Sequence, residues 1–175
     1  MRDNKLIIAL GANIKNPNGL HPIDTCEKAI LELSKYSIKI IKGSSWYISA
    51  PIPKSNQPNY YNSVIKCSTK LNERTVLKVI NIIEKKLGRI KQKNNFSRCI
   101  DLDIIDFNNR VKKSLMLTIP HPRSHKRKFV LLPILEINPF WIHPIKKRNV
   151  KNLLETTNRQ VVLKINKKNI DFVTK

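Results

Sequence analysis

Asp101-Leu102-Asp103-Ile104-Ile105-Asp106 is the most chemically specific run of the chain. It reads as a strand, where residues i and i+2 point to the same face, so Asp101 and Asp103 project together, about 6.5–7 Å apart along the backbone. Leu102 and Ile104 then face the other way. Neighbouring carboxylates repel, and Asp is depleted in strands. The pair therefore needs compensation. Hard divalent cations would supply it, two of them in a phosphoryl-transfer site; a solvated strand end balanced by nearby Lys or Arg is the other reading. Arg89, Lys91, Lys93 and Arg98 precede the pair, and Arg123, Lys126, Arg127 and Lys128 follow it. Arg offers phosphate a planar fork and Lys a point charge. Carboxylates for Mg²⁺ beside cations for phosphates suit transfer from a nucleotide, where positioning and charge neutralisation do most of the catalysis. In so basic a chain, part of this clustering arises by chance.

Ile119-Pro120-His121-Pro122-Arg123 holds His121 in a rigid loop. Pro122, between His121 and His125, argues against one helix presenting both to zinc, and a plain surface-loop histidine is the alternative. Tyr60 and Asn62 share a strand face by the period-two rule. They either present an aromatic plane and an amide to a flat heterocycle or simply pack across strands.

Much is excluded by composition. The chain holds 4 glycines, too few and too far apart for a G-x-G-x-x-G fingerprint or a P-loop, so any phosphate must be held by side chains. Cys26, Cys67 and Cys99 include no C-x-x-C and suggest neither a disulfide framework nor a zinc knuckle; buried thiols in a reducing cytosol are the reading. With Lys and Arg at 34 against 12 Asp and Glu, the net charge of +22 raises nucleic acid, anionic membrane or a phosphorylated ligand as partner. Lys, Ile and Asn all have A/T-rich codons, however, and much of that charge tracks base composition. The apolar stretch Leu6–Leu10 is too short to span a bilayer or act as a signal. A soluble, cytoplasmic chain of one domain over 1–175 is expected.

The elements that must position these residues are legible in outline. Leu6–Leu10, ended by Gly11, suits a central strand buried on both faces. Pro22 opens a helix over 22–36, with Ile23, Cys26, Ile30 and Leu33 on one side. Ser37–Ser49 reads as one strand broken by Pro51 and Pro53, and Tyr60–Leu71 pairs with it. Asn72 caps a second helix with stripe Val76, Ile80, Ile83 and Leu87, closed by Gly88. A polar loop from Arg89 to Ser97 leads to a strand over Ile100–Phe107, and Phe129–Ile137 forms a short helix despite Pro133. This order, β-α-β-β-α-β, predicts an α+β ferredoxin-like sandwich with an antiparallel sheet covered by helices and a C-terminal extension. The stretch 146–175 is Lys- and Asn-rich and weakly patterned, with Val161–Ile165 a candidate edge strand.

Together the motifs resemble the 6-hydroxymethyl-7,8-dihydropterin pyrophosphokinase family of folate biosynthesis. The matching stretches run collinearly over about 5–140: Ala9-Leu10-Gly11-Ala12-Asn13; Tyr47-Ile48-Ser49-Ala50-Pro51; Gln57-Pro58-Asn59-Tyr60-Tyr61-Asn62; Ile83-Glu84 with Leu87-Gly88-Arg89; Arg98 with Asp101-Leu102-Asp103-Ile104; and Ile119-Pro120-His121-Pro122 leading to Arg127-Lys128-Phe129-Val130-Leu131. The resemblance implies transfer of the β,γ-diphosphate of ATP to the pterin's hydroxymethyl oxygen, releasing AMP, in a monomer that binds neither membrane nor specific nucleic acid. It implies that Asp101 and Asp103 hold two Mg²⁺ ions and that Arg98 and Arg127 contact phosphate. Glu84, Arg89, Lys91, Ile104, Thr118 and His121 complete the implied ATP site. Ser49, Pro51, Ile52, Tyr60, Asn62, Phe96 and Phe129 are the implied pterin-binding residues, Phe129 stacking on the ring.

Some positions depart from the family pattern. Where the family carries Trp-x-Pro-Arg, this chain reads Asn95-Phe96-Ser97-Arg98 and is a residue short, so the lid aromatic is a shifted Phe96 or is missing. Lys91 replaces an arginine, Asn81 a longer amide and Ala12 a small hydroxyl residue. The rival readings are an RNA-binding module on the same topology and a divergent paralogue that keeps the fold as an interaction protein. Sheet-displayed RNP aromatics, which the former needs, have no counterpart in the sequence.

Overall fold

The structure, a computed structural model, describes residues 3–90, 96–157 and 160–165. At its centre lies β1 (Asn4–Ala12), antiparallel to β4 (Tyr60–Thr69) on one side and to β5 (Asp101–Phe107) on the other. Beyond β4 lie β2 (Ile38–Gly43), β3 (Tyr47–Ser49) and, paired with β3, β8 (Val162–Lys164). A separate hairpin joins β6 (Lys112–Lys113) to β7 (Thr118–Ile119).

The central run behaves as a strand buried on both faces. Leu6, Ile8 and Leu10 join a core with α1 (Pro22–Lys35) and α2 (Glu73–Lys86), while Ile7 faces Val130, Leu131 and Ile134 of α3 (Lys128–Ile137). Each fully buried Ile or Leu contributes about 1.5–3 kcal/mol. The expected stripes of α1 and α2 are buried, and Asn72 Oδ1 accepts the Thr75 N–H at 2.9 Å as N-cap. Gly88, at φ +93°, turns the chain after α2; a Cβ there would stand 2.3 Å from Pro17 Cδ, so only glycine fits. Pro133 lies inside α3, and burial of its neighbours Val130, Leu131, Ile134 and Ile137 against the sheet holds the helix together around it.

One expectation needs revision, and one stretch with no assigned role proves structured. The single strand over 37–49 is split into β2 and β3, because Ser44 and Ser45 turn their hydrogen bonds inward. Ser44 Oγ accepts the Val64 N–H at 3.0 Å, while Ser45 donates both its N–H (3.0 Å) and its Oγ–H (2.7 Å) to Glu136 Oε1 on α3. The weakly patterned 146–175 stretch also contributes structure: α4 (Val150–Glu155) buries Val150 and Leu153 in the α3 core, and β8 adds the expected edge strand. The sheet is therefore covered on both faces, by α1 and α2 on one and by α3 and α4 on the other. Among the described residues, no helix is long and apolar enough to cross a membrane.

Asp106 is buried beneath α3, where its Oδ2 accepts the Trp141 indole N–H at 3.3 Å. Burial pushes its carboxyl above the usual range, against the pull of Trp141 and the Phe107 and Asn109 N–H groups. A raised folded-state pKa adds stability at low pH that is lost as pH rises through that pKa. The stability difference between wild type and Asp106→Asn, from urea denaturation at pH 5 and pH 8, should therefore move in favour of Asn at the higher pH. A difference independent of pH would contradict the burial argument.

Candidate active site

The α3-facing side of the sheet is apolar only in part. Ile7, Val64 and Ile105 lie under α3, but farther along the same strands this face carries Ala9, Gly11, Asn62, Asp101 and Asp103. Here a cleft of about 270 Å³ opens. Gly11 pairs with Asn62 on β4 and with Asp101 on β5, so the small residues of β1 form its floor between an amide wall and a carboxylate wall. Strand periodicity alone delivers Asp101 and Asp103 to this face and sends Leu102 and Ile104 into the α1–α2 core.

The carboxylate wall is held by arginines. Arg89 Nη1 lies 2.8 Å from Asp101 Oδ1 and also pairs with Glu84, while Arg98 Nη1 lies 2.7 Å from Asp101 Oδ2. Burial, then the Asp103 charge, raises the Asp101 carboxyl; Arg89 and Arg98 pull the other way. Glu84, on α2, is buried and accepts the Leu102 N–H at 2.7 Å, satisfying an edge-strand donor that has no strand partner. Burial pushes its carboxyl up to about 7, against the pull of Arg89 and the Leu102 N–H.

Opposite lie His121 and Arg127, with His121 Nε2 and Arg127 Nη1 at 3.7 Å and 3.8 Å from Asp103 Oδ2. His121 Nδ1 accepts the Arg123 N–H at 3.2 Å, which leaves Nε2 to carry the proton. Burial, then the Arg127 and Arg123 charges, lowers the imidazole to about 4, so near neutral pH it is an uncharged donor aimed at the carboxylates. Burial and the Arg123 charge likewise pull Arg127 below its ordinary value. The Arg127 guanidinium sits 5.4 Å over the Phe129 ring.

On the amide wall, Asn62 Nδ2 donates to Ser49 Oγ at 3.0 Å and to the Tyr60 carbonyl at 3.2 Å. Its donors are spent inside the protein, and its orientation is set before any ligand arrives. Pro51, Ile52 and Phe129 also line the cleft. Buried Asn13 bridges the cleft's two rims: its Nδ2 donates to the Pro58 carbonyl at 3.2 Å, its Oδ1 accepts the Arg98 N–H at 2.8 Å, and its own N–H donates to the Arg98 carbonyl at 3.0 Å.

Of the residues singled out from sequence, Arg89, Arg98, Asp101, Asp103, His121 and Arg127 line the cleft, as do Ser49, Pro51, Ile52, Tyr60, Asn62 and Phe129. Glu84 stands behind it. Ile104 is buried on the opposite face and Thr118 lies in the β6–β7 hairpin; neither side chain lines the cleft. Phe96 is exposed and contributes only its carbonyl, which accepts from Tyr60 Oη and Arg98 Nε, each at 3.3 Å. Lys91 lies outside the described residues. Sequence reasoning gave no role to Gln57 or Asn13, although both fall within the matching stretches, and it passed over Arg123 as one cation of a basic bracket.

The fold is similar to that of the Plasmodium falciparum HPPK-DHPS crystal structure with pteroate, at a TM-score of 0.69 and 16% identity, over 88% of this chain and 44% of that one. In sequence the chain is 36% identical over 130 residues to the "2-amino-4-hydroxy-6-hydroxymethyldihydropteridine pyrophosphokinase" of Haemophilus influenzae, covering 74% of this chain and 79% of the relative. It is 38% identical over 154 residues to the "Folic acid synthesis protein fol1" of Pneumocystis carinii, spanning 87% of this chain but only 20% of that much longer protein. The family model for 7,8-dihydro-6-hydroxymethylpterin-pyrophosphokinase (HPPK) matches residues 7–139, and the chain belongs to that family.

Removing the Asn13 amide deprives part-buried partners on both rims, the Arg98 N–H and the Pro58 carbonyl, of their hydrogen bonds, at a cost of about 0.5–1.5 kcal/mol. Asn13→Ala should lower stability by that amount in urea denaturation and speed hydrogen exchange at the Arg98 amide. Unchanged exchange there would rule out Asn13 as the bridge.

Proposed function

We propose that the protein transfers the β,γ-diphosphate of ATP to the hydroxymethyl oxygen of 6-hydroxymethyl-7,8-dihydropterin, releasing AMP. The observation that carries this reading is the cleft's make-up: carboxylates paired with arginines on the β5 side of Gly11, and a pre-oriented amide on its β4 side, with the Tyr60 and Phe129 rings in the lining. The first suits a charged polyphosphate and the second a flat, neutral heterocycle. Family membership supports the same assignment.

Magnesium fits the residues present. Asp101 and Asp103 offer two hard oxygen donors on one face of the cleft. Two carboxylates, with the remaining positions left to phosphate and water, suit Mg²⁺. Two bound ions would neutralise the triphosphate and polarise its phosphoryl oxygens. The chain's own residues do the rest. Arg98 and Arg127 hold phosphate oxygens from opposite sides of the aspartates, and Arg89 adds a third fork. Neutral His121 donates its Nε2–H. Tyr60, Asn62 and Phe129 hold the pterin so that its hydroxymethyl oxygen attacks the β-phosphorus; the bond from that phosphorus to the oxygen it shares with the α-phosphate breaks, and AMP leaves. The hydroxyl proton passes to solvent, and no covalent enzyme intermediate forms. Alignment and neutralised charge carry the rate.

We further assign the sheet to the ferredoxin-like class, supported by its order β5-β1-β4-β2 and antiparallel pairing, with α1 and α2 on one face. Residues 1–175 act as one monomeric domain in this reading. Free, buried Cys26, Cys67 and Cys99 support the cytoplasm as its compartment.

Purified protein with Mg²⁺ should convert ATP to AMP only when the hydroxymethyl-dihydropterin is present. Asp101→Ala and Asp103→Ala should each abolish turnover while circular dichroism stays native, and Arg98→Ala or Arg127→Ala should cost about 10²–10³-fold in kcat. A wild type that formed no AMP but bound RNA with a steep salt slope would sink the enzyme reading.

A further inference from the structure

We propose that Arg123 is an additional polyphosphate-binding residue of this cleft, an inference that rests on the diphosphate-transfer reading. The cleft is lined by Arg89, Arg98, Arg123 and Arg127. The first two are paired with Asp101, and Arg127 approaches Asp103 at 3.8 Å. For Arg123, no carboxylate lies within ion-pair distance among the described residues.

Its backbone, by contrast, is fixed. Pro122 precedes it, its N–H donates to His121 Nδ1 at 3.2 Å, and its carbonyl accepts the Lys126 N–H at 3.1 Å. Buried Ser124, next in sequence, donates both its N–H (3.0 Å) and its Oγ–H (2.8 Å) to the His121 carbonyl. A locked turn thus delivers a guanidinium whose planar fork meets no carboxylate among the described residues.

Arg123 also repels Arg127, the neighbour it shares the cleft with. Two like charges brought together, one of them with no carboxylate partner among the described residues, favour a ligand carrying several negative charges. The pterin is neutral, which leaves the phosphate chain of the nucleotide as the ligand Arg123 serves. As Arg123 is exposed and outside the core, its removal leaves the fold intact.

Calorimetric titration of α,β-methylene-ATP with Mg²⁺ into the full chain tests this, comparing wild type, Arg123→Ala, Arg123→Lys and Arg98→Ala, with the pterin titrated separately. Arg123→Ala should weaken the nucleotide analogue roughly tenfold, with Lys intermediate and pterin affinity unchanged. Inorganic tripolyphosphate should compete less well for Arg123→Ala than for wild type. If Arg123→Ala binds the analogue as tightly as wild type while Arg98→Ala does not, this inference falls and the diphosphate-transfer reading stands. Equal losses for analogue and pterin would also overturn it, since they report a general disturbance. A wild type that binds no analogue overturns the parent reading as well.

Discussion

The antiparallel register of β1 with β4 and β5 is the constraint on which the site depends. It sets Gly11 level with Asn62 on one side and Asp101 on the other. A one-residue slip in either pairing would turn every side chain of the slipped strand to the opposite face, sending Asp101 and Asp103 into the α1–α2 core or Asn62 away from the cleft. Burial of Leu6, Ile8 and Leu10 on one face and Ile7 on the other makes such a slip costly. The same apolar residues that stabilise the sheet therefore set the aim of the polar ones.

A second consequence concerns charge. Two carboxylates on one strand face would repel without compensation, and the fold answers from three separate elements: Arg89 after α2, Arg98 before β5, and the His121–Arg127 turn before α3. Glu84 extends this network by holding Arg89 while it satisfies the Leu102 N–H at the sheet edge. The result is a cleft of mixed sign, able to hold cations and polyanions side by side. The overall charge of +22 says little about this arrangement, because the arginines that matter are defined by their distance to Asp101 and Asp103 rather than by their number.

Several features were legible from residue order. The period-two rule placed Asp101 and Asp103 together and opposite to Leu102 and Ile104, and the stripes and caps of α1 and α2 needed only local spacing. The break between β2 and β3 was not legible, because it depends on Ser45 donating to Glu136, 91 positions away. Nor was the packing of α4 on α3, since Val150 and Leu153 form too short a pattern to announce a buried face. Asn13 stands in a family-like stretch, yet its clamp on Arg98 spans 85 positions and left no local trace.

By itself the sequence determined the chemical inventory: no backbone phosphate cradle for want of spaced glycines, a same-face aspartate pair, an aromatic–amide pair, arginines nearby and six collinear stretches that point to one family. These follow from residue type, short-range periodicity and order, which need no coordinates. Only the tertiary structure decided which arginines touch Asp101, that His121 is a neutral Nε2–H donor, that Ile104 is turned away from the cleft, and that Arg123 stands at its edge with no carboxylate partner among the described residues. Those outcomes depend on distances and burial between residues far apart in the chain, and electrostatic interaction and desolvation act through space rather than along sequence.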